Sequence, residues 1–337
     1  MATAVVTVSL SLLKAENKPN YGIVFDATNE YVMGSEENTV VIVLDTFGRD
    51  ILEEELSEHP EALDVLHDFT FYDEEDSVYA PTFPSFVHFL TEYEYNGEPR
   101  EEYEKTAFTS ESSKKFFDEI YSRGYNVEIN TRDILTGEYM QYIADNVKSV
   151  KKEVNKKEVR RELSKLSAYR YVPYFLKPYF YVMNPGVYTT AYDVKTPQVF
   201  NQSHYDNMIN GGMQLSDTVK KRVGIYHYYG MHKSYMNDEF AHATEPDTTT
   251  RWQTMQGLWV VVDTFFNLMK ENGIYDNSTI IVMSDHGVCY DHTGYDHFYT
   301  DSIFFMKKPE EKHDEVVRNH APLTHHEFQR IILESLK

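Results

Sequence analysis

Two apolar runs, each closing on an aspartate, fix most of what this chain can fold into. "TVVIVLD" (39–45) and "STIIVMSD" (278–285) are short, rich in β-branched residues and free of polar alternation, the pattern of strands buried on both faces. Between them, "TTTRWQTMQGLWVVVDTFFNLMKENGIYDN" (248–277) carries Trp252, Met255, Leu258, Trp259, Val262, Phe265, Phe266 and Met269 at helical spacing, with a stop at Gly273. "SSKKFFDEIYSRGYNVEIN" (112–130) reads as a helix, a stop at Gly124 and a strand. Buried strands alternating with helices predict an α/β fold with a mostly parallel central sheet flanked by helices and a smaller C-terminal part. Active sites in such sheets form beyond the carboxyl ends of strands. Asp45 and Asp285 both stand there.

With 337 residues, 41% of them hydrophobic, the chain can bury one large core or two unequal ones. A formal net charge of −22 excludes nucleic-acid binding through a general basic surface, because phosphate contacts need clustered Lys and Arg. The single cysteine, Cys289, rules out an intramolecular disulfide and a cysteine-based zinc ligand set; it reads as a small packed side chain. The opening "MATAVVTVSLSLLK" is too short an apolar run to span a bilayer and lacks the charged start of a signal peptide. Residues 1–37 therefore read as a lead-in, either an ordinary first segment or the remnant of a membrane linker, and 38–337 as the catalytic domain. The locally basic "KSVKKEVNKKEVRRELSK" (148–165) reads as a solvated helix. The aromatic "YRYVPYFLKPYFYVM" (169–183) after it is either a buried loop or a surface facing lipid headgroups.

Chemistry gathers at the strand ends. Asp285 and His286 can reach one metal if the backbone turns sharply, which Gly287 permits, and a carboxylate with an imidazole suits zinc or manganese. A capping aspartate beside a core histidine fits the same tripeptide, but Asp45 can supply a third ligand from a neighbouring strand. In "SVYAPTFPSF" (77–86) Thr82 lies between Pro81 and Phe83-Pro84, a stiffened turn that would present its hydroxyl. Metal coordination would make that hydroxyl a nucleophile; a turn or cap threonine is the other reading. "GIYHYYGMHKSY" (224–235) sets His227 and His232 around Gly230. Together with His292 and His297 they are candidates to hold a phosphoryl group or protonate its leaving group.

The ordered set "VVIVLDTFGRD", "TFPS", "HYYGMH", "SDHG", a later histidine and "APLTHHEF" resembles the alkaline phosphatase superfamily. The resemblance is to its sulfatase-like branch, which includes lipoteichoic acid synthases and lipid A phosphoethanolamine transferases, and it runs from about residue 38 to 335. It implies a metal set of Asp45, Thr82, Asp285 and His286 with Thr82 as nucleophile, and it matches His232 and His297 to positions that in relatives bind the phosphoryl group or a second metal, so these two read as catalytic and, beside the candidates His227 and His292, as substrate contacts. One divalent metal, zinc or manganese, is implied, with a weak second one. The activity implied is transfer of a phospho-headgroup from a phospholipid donor to a glycan or lipid acceptor at the extracellular face of a membrane. A phosphodiesterase, phosphatase or sulfatase-like hydrolase of the same fold is the alternative, and a non-catalytic envelope-binding relic is the alternative of another class. The chain departs from the family pattern in four places. Thr82 and Phe86 replace the Cys or Ser and the Arg of sulfatases. Tyr228 stands where binuclear phosphodiesterases have an aspartate. Asp238 and His242 keep a D-x-x-x-H spacing, but farther along the chain. Asp45 replaces the usual glutamate of the lipid-headgroup enzymes.

Overall fold

The computed structural model describes residues 21–154, 156–180, 190–192, 194–233, 235–287 and 299–337. The chain divides into two compact units, Met1–Val24 with Lys148–Lys195, and Phe25–Val147 with Thr196–Lys337.

The second unit is built on a seven-stranded sheet. In chain order its strands are β1 (Glu37–Leu44), β2 (Thr70–Tyr72), β3 (Tyr125–Asn130), β4 (Lys221–Tyr228), β5 (Thr279–Ser284), β6 (Phe304–Lys307) and β7 (Val317–Asn319), arranged β7-β2-β6-β5-β1-β4-β3. β5, β1, β4 and β3 run parallel, while β6 is antiparallel to both β5 and β2. The expected α/β architecture is the observed one. Val40 to Leu44 of β1 are fully buried, as a strand covered on both faces requires. Val40, Ile42 and Leu44 pack with Met255, Leu258, Val262 and Phe265 of a long helix.

The helices of this unit are α1 (Arg49–Glu58), α2 (Thr82–Thr91), α3 (Arg100–Phe108), α4 (Glu111–Ser122), α5 (Asn201–Gly211), α6 (Arg251–Glu271) and α7 (Phe328–Ser335). α6 starts at a capping box in which the Thr250 hydroxyl accepts from the Gln253 N–H and the Gln253 side chain accepts in return from the Thr250 N–H. α4 starts where Ser110 accepts from the Ser113 N–H.

The register places the site. Leu44 lies opposite Tyr228 on one side and Ser284 on the other, so three neighbouring parallel strands end level. The residues that follow, Asp45, Tyr229 and Asp285, leave the sheet side by side.

The first unit carries a three-stranded sheet of Tyr21–Phe25, Val147–Val154 and Thr190–Tyr192, a helix Lys156–Tyr171 and a 3-10 helix Tyr174–Phe180. Only the second half of the basic run expected to be helical is a helix. Its first half is a strand, because Lys152 to Val154 pair antiparallel with Thr190 to Tyr192, a non-local contact that local helix preference cannot anticipate.

Candidate metal centre and nucleophile

Asp45, Asp285 and His286 bring one ligand atom each to within 4.8 Å of one another, and all three are buried. His286 Nε2 lies 3.6 Å from Asp45 Oδ1 and 3.5 Å from Asp285 Oδ2. Thr82 Oγ1 joins them, 3.1 Å from His286 Nε2 and 3.3 Å from Asp45 Oδ1. Donor atoms about 2 Å from a shared tetrahedral ion stand about 3.4 Å apart, so the spacing fits one divalent cation. Asp285 Oδ2 is buried with no hydrogen-bond partner among the described residues, which is costly unless a cation faces it. Nδ1 of His286 donates to the Gly287 carbonyl at 2.7 Å, a bond that leaves the Nε2 lone pair directed at the cluster. Burial and the facing Asp285 push the Asp45 carboxyl up to about 6. Two buried carboxylates held together call for positive charge between them.

The backbone around these ligands is specialised at points that sequence reasoning missed. Thr46, in the left-handed region at φ 57°, donates its N–H to Asp285 Oδ1 at 3.1 Å and its hydroxyl to Asp45 Oδ1 at 2.6 Å, so one residue orients both carboxylates. Ser85 donates its hydroxyl to the Asp285 carbonyl. The glycine of "HYYGMH" has a steric cause. Gly230 has φ +60°, and a Cβ there would lie 2.4 Å from Asp45 O and 2.5 Å from Asp45 N. Gly287 serves differently from expectation. It takes no left-handed conformation, and its missing side chain makes room for Asp301, whose Oδ1 would lie 2.5 Å from a Cβ.

Thr82 does not sit in a free turn, as its flanking prolines suggest, but is the first residue of α2, capped by Pro81 without a side-chain bond. Pro84 is tolerated in that first turn because the N–H it lacks has no intrahelical partner there. Thr82 stays partly exposed. Its hydroxyl therefore stands at the positive end of a helix, open to solvent and against the ligand cluster.

His227 is the penultimate residue of β4, buried, with Nδ1 2.9 Å from Thr131 Oγ1 and 3.2 Å from Asp133 Oδ2. Burial opposes its protonation, but Asp133, reinforced by Asp45 and Asp285, holds it above the ordinary histidine range. His232 is half-buried beyond Gly230, with Nδ1 3.0 Å from the Lys233 carbonyl and its ring 5.0 Å from that of Tyr229. It stands near enough to Asp45 to oppose the rise of that carboxyl. His292, His297 and Cys289 fall in 288–298, outside the described residues. Tyr228 is fully buried against His204 and offers no carboxylate. Asp238 accepts from the N–H groups of Phe240 and His242 in an exposed turn, its other oxygen 3.3 Å from His242 Nδ1.

The closing "THHEF" forms a second layer. Thr324 and Glu327 make a capping box. His325 is buried with Nδ1 3.3 Å from Ser85 Oγ and Nε2 3.2 Å from Glu75 Oε1. Burial and His88 push His325 down to about 3, and burial raises Glu75 well above the carboxylate range, so the pair is neutral.

No protein-family model matches the chain, and no curated protein matches it. Among solved structures it is similar to Ps i-CgsB in complex with k-i-k-neocarrahexaose, with a TM-score of 0.54 and 11% identity over 90% of this chain and 72% of that one. It is also similar to the putative sulfatase yidJ from Bacteroides fragilis, with a TM-score of 0.51 and 16% identity over 90% and 74%. The fold is sulfatase-like. The soluble domain of lipooligosaccharide phosphoethanolamine transferase A from Neisseria meningitidis also matches, with a TM-score of 0.46 and 14% identity over 93% of this chain and 90% of that one. Within the sulfatase-like fold, residue 82 of this chain is threonine and residue 86 phenylalanine.

Proposed function

We propose that this chain is a metal-dependent phospho-headgroup transferase in which Thr82 is the nucleophile. The observation that carries the reading is the Thr82 hydroxyl, 3.1 Å from His286 Nε2 and 3.3 Å from Asp45 Oδ1 at the start of a helix. A zinc or manganese ion held by Asp45, Thr82, Asp285 and His286 would supply a lowered hydroxyl pKa and positive charge toward a phosphoryl group.

The chain's own residues account for the rest. The Thr82 hydroxyl donates to Asp45 Oδ1, so its proton has an acceptor as Oγ1 closes on phosphorus. The N–H groups of Thr82 and Phe83 in the first turn of α2 have no intrahelical partner and would donate to phosphoryl oxygens as these gather charge. One P–O bond forms to Thr82 and one breaks to the leaving oxygen, which takes a proton from the imidazole of His232. An acceptor hydroxyl then attacks the phosphothreonine, its proton passing back to the imidazole, and Thr82 is released with its proton restored. His227, anchored by Thr131 and Asp133, adds positive charge near the carboxylate pair.

A lipid donor is supported by the first unit. Tyr171, Tyr174, Phe175 and Tyr179 are 72–87% exposed, and Lys177 lies over the ring of Tyr169 at 5.0 Å. Exposed aromatic rings interleaved with a cation suit a headgroup interface, and of the two readings of 169–183 this favours the surface; 181–183 lie outside the described residues. No described helix is long and apolar enough to cross a membrane, and the outer membrane face belongs to the proposal. The acceptor is a glycan or a lipid.

Intact-mass analysis after incubation with a phospholipid headgroup donor tests the reading. A headgroup adduct is expected on the peptide spanning residues 77–86, absent in Thr82→Ala and chased by an acceptor hydroxyl. Equal turnover by Thr82→Ala would remove the covalent step.

A further inference from the structure

We propose that His88, Glu94 and His326 form a second zinc site, sharing no residue with the first. The three bring ligand atoms to within 4.8 Å of one another, and nothing in the chemistry above uses them.

His88 sits in α2 at 0% exposure, and neither ring nitrogen has a hydrogen-bond partner among the described residues. A buried polar group left so is destabilising, and native interiors avoid it unless something else binds there. Its Nε2 lies 3.6 Å from Glu94 Oε1. That is too long for a hydrogen bond and close to the roughly 3.4 Å between two donors on one tetrahedral zinc. The His326 ring stands edge-on to His88, 4.7 Å between centroids.

Glu94 is oriented for the purpose. Its Oε2 accepts from the Tyr79 hydroxyl at 2.7 Å, and the Tyr79 oxygen accepts from the Tyr95 N–H at 2.8 Å. This chain of bonds turns Oε1 toward His88, in the way that outer partners aim a metal-binding carboxylate. An ion pair does not explain the arrangement, since burial and His326 push His88 down to about 4. At neutral pH it carries a lone pair and no charge.

Two imidazoles and one carboxylate are a zinc donor set with a fourth position left for solvent; calcium and magnesium prefer oxygen throughout. The ligands come from α2, from the loop after it and from the 3-10 turn His325–Glu327. Zinc there would staple the helix that presents Thr82 to the C-terminal segment.

The test uses the full chain dialysed against zinc chloride, with zinc per chain measured by elemental analysis. About two zinc ions are expected for the parent protein and about one for the Glu94→Gln/His326→Ala double variant. Both substituted side chains are exposed, so the variant keeps its fold, and the new amide oxygen still accepts from Tyr79. In Asp285→Ala one ion should remain, and adding His326→Ala should weaken its affinity by roughly a hundredfold or more. A single ion in the parent protein overturns the site, and so does an unchanged zinc count in Glu94→Gln/His326→Ala. Neither result bears on Thr82, whose adduct is read separately.

Discussion

Replacing Gly230 with alanine tests whether the metal centre is built by backbone proximity. Two terms oppose the substitution. Placing a Cβ at φ +60° is unfavourable by about 1–2 kcal/mol. The second term is steric, because the new carbon would lie 2.4 Å from Asp45 O, 2.5 Å from Asp45 N and 2.8 Å from the Leu44 carbonyl carbon. These are backbone atoms at a strand end, unable to rotate away, and overpacking of this kind is destabilising by about 1–3 kcal/mol more. Gly273 provides the control, since it has φ +69° and nothing within 4 Å of its Cβ position where it closes α6, so Gly273→Ala carries the conformational term alone. Urea unfolding of the zinc-free proteins should show Gly230→Ala losing about 2–5 kcal/mol against about 1–2 for Gly273→Ala. Zinc affinity at the Asp45 site should fall only in Gly230→Ala, because relief of the clash moves the peptide that carries a ligand. If the two variants unfold alike and bind zinc alike, Gly230 is not what holds Asp45 in place.

Asp285→Ala should abolish zinc binding at the first site while leaving the sheet intact, checked by elemental analysis beside far-UV circular dichroism; full occupancy there would undo the ligand assignment. Thr82→Ala should retain much of the metal, with three other ligands left, and lose turnover by several orders of magnitude, whereas Thr82→Ser should keep part of the activity. The Asp45 carboxyl is raised to about 6 by burial and by Asp285, so in the metal-free fold its stabilising contribution is present at low pH and is lost as pH rises through about 6. Zinc should accordingly raise the melting temperature more above pH 6 than below it, and a zinc-induced shift that does not vary from about pH 5 to 7 would contradict this. His325 is held down to about 3 by burial and His88, so its contribution is present above its ordinary value and is lost as pH falls toward about 3; replacing it with glutamine should flatten that part of the acid-unfolding profile.

What the sequence made legible was local and periodic. The runs 39–45 and 278–285 are strands because β-branched side chains without polar alternation need cover on both faces, and an aspartate after each run falls at a strand end whatever the partner strand. The helix ends at Ser122 and Glu271, just short of Gly124 and Gly273, follow from the same local chemistry. The illegible features depend on residues distant in the chain. Thr46 holds Asp285 from 239 positions away and Ser85 holds it from 200, and a threonine or serine carries no mark of such a partner. The space that Gly287 leaves for Asp301, the strand hidden in 147–154 and the His88–Glu94–His326 group share that cause. Thr82 at a helix start was half legible, since Pro81 and Pro84 signal rigidity but suit a turn and a first helical turn equally.

The level ending of β1, β4 and β5 has a consequence in time. A ribosome releases Asp45 long before Asp285, and until residues 279–284 align beside 37–44 only one carboxylate of the pair is in position. Slipping that alignment by one residue would turn the ligands to opposite faces of the sheet. The growing chain therefore cannot assemble this centre from a fragment, and capture of the cation reports that synthesis has passed residue 286 and that the long-range parallel pairing of β5 with β1 has formed in register.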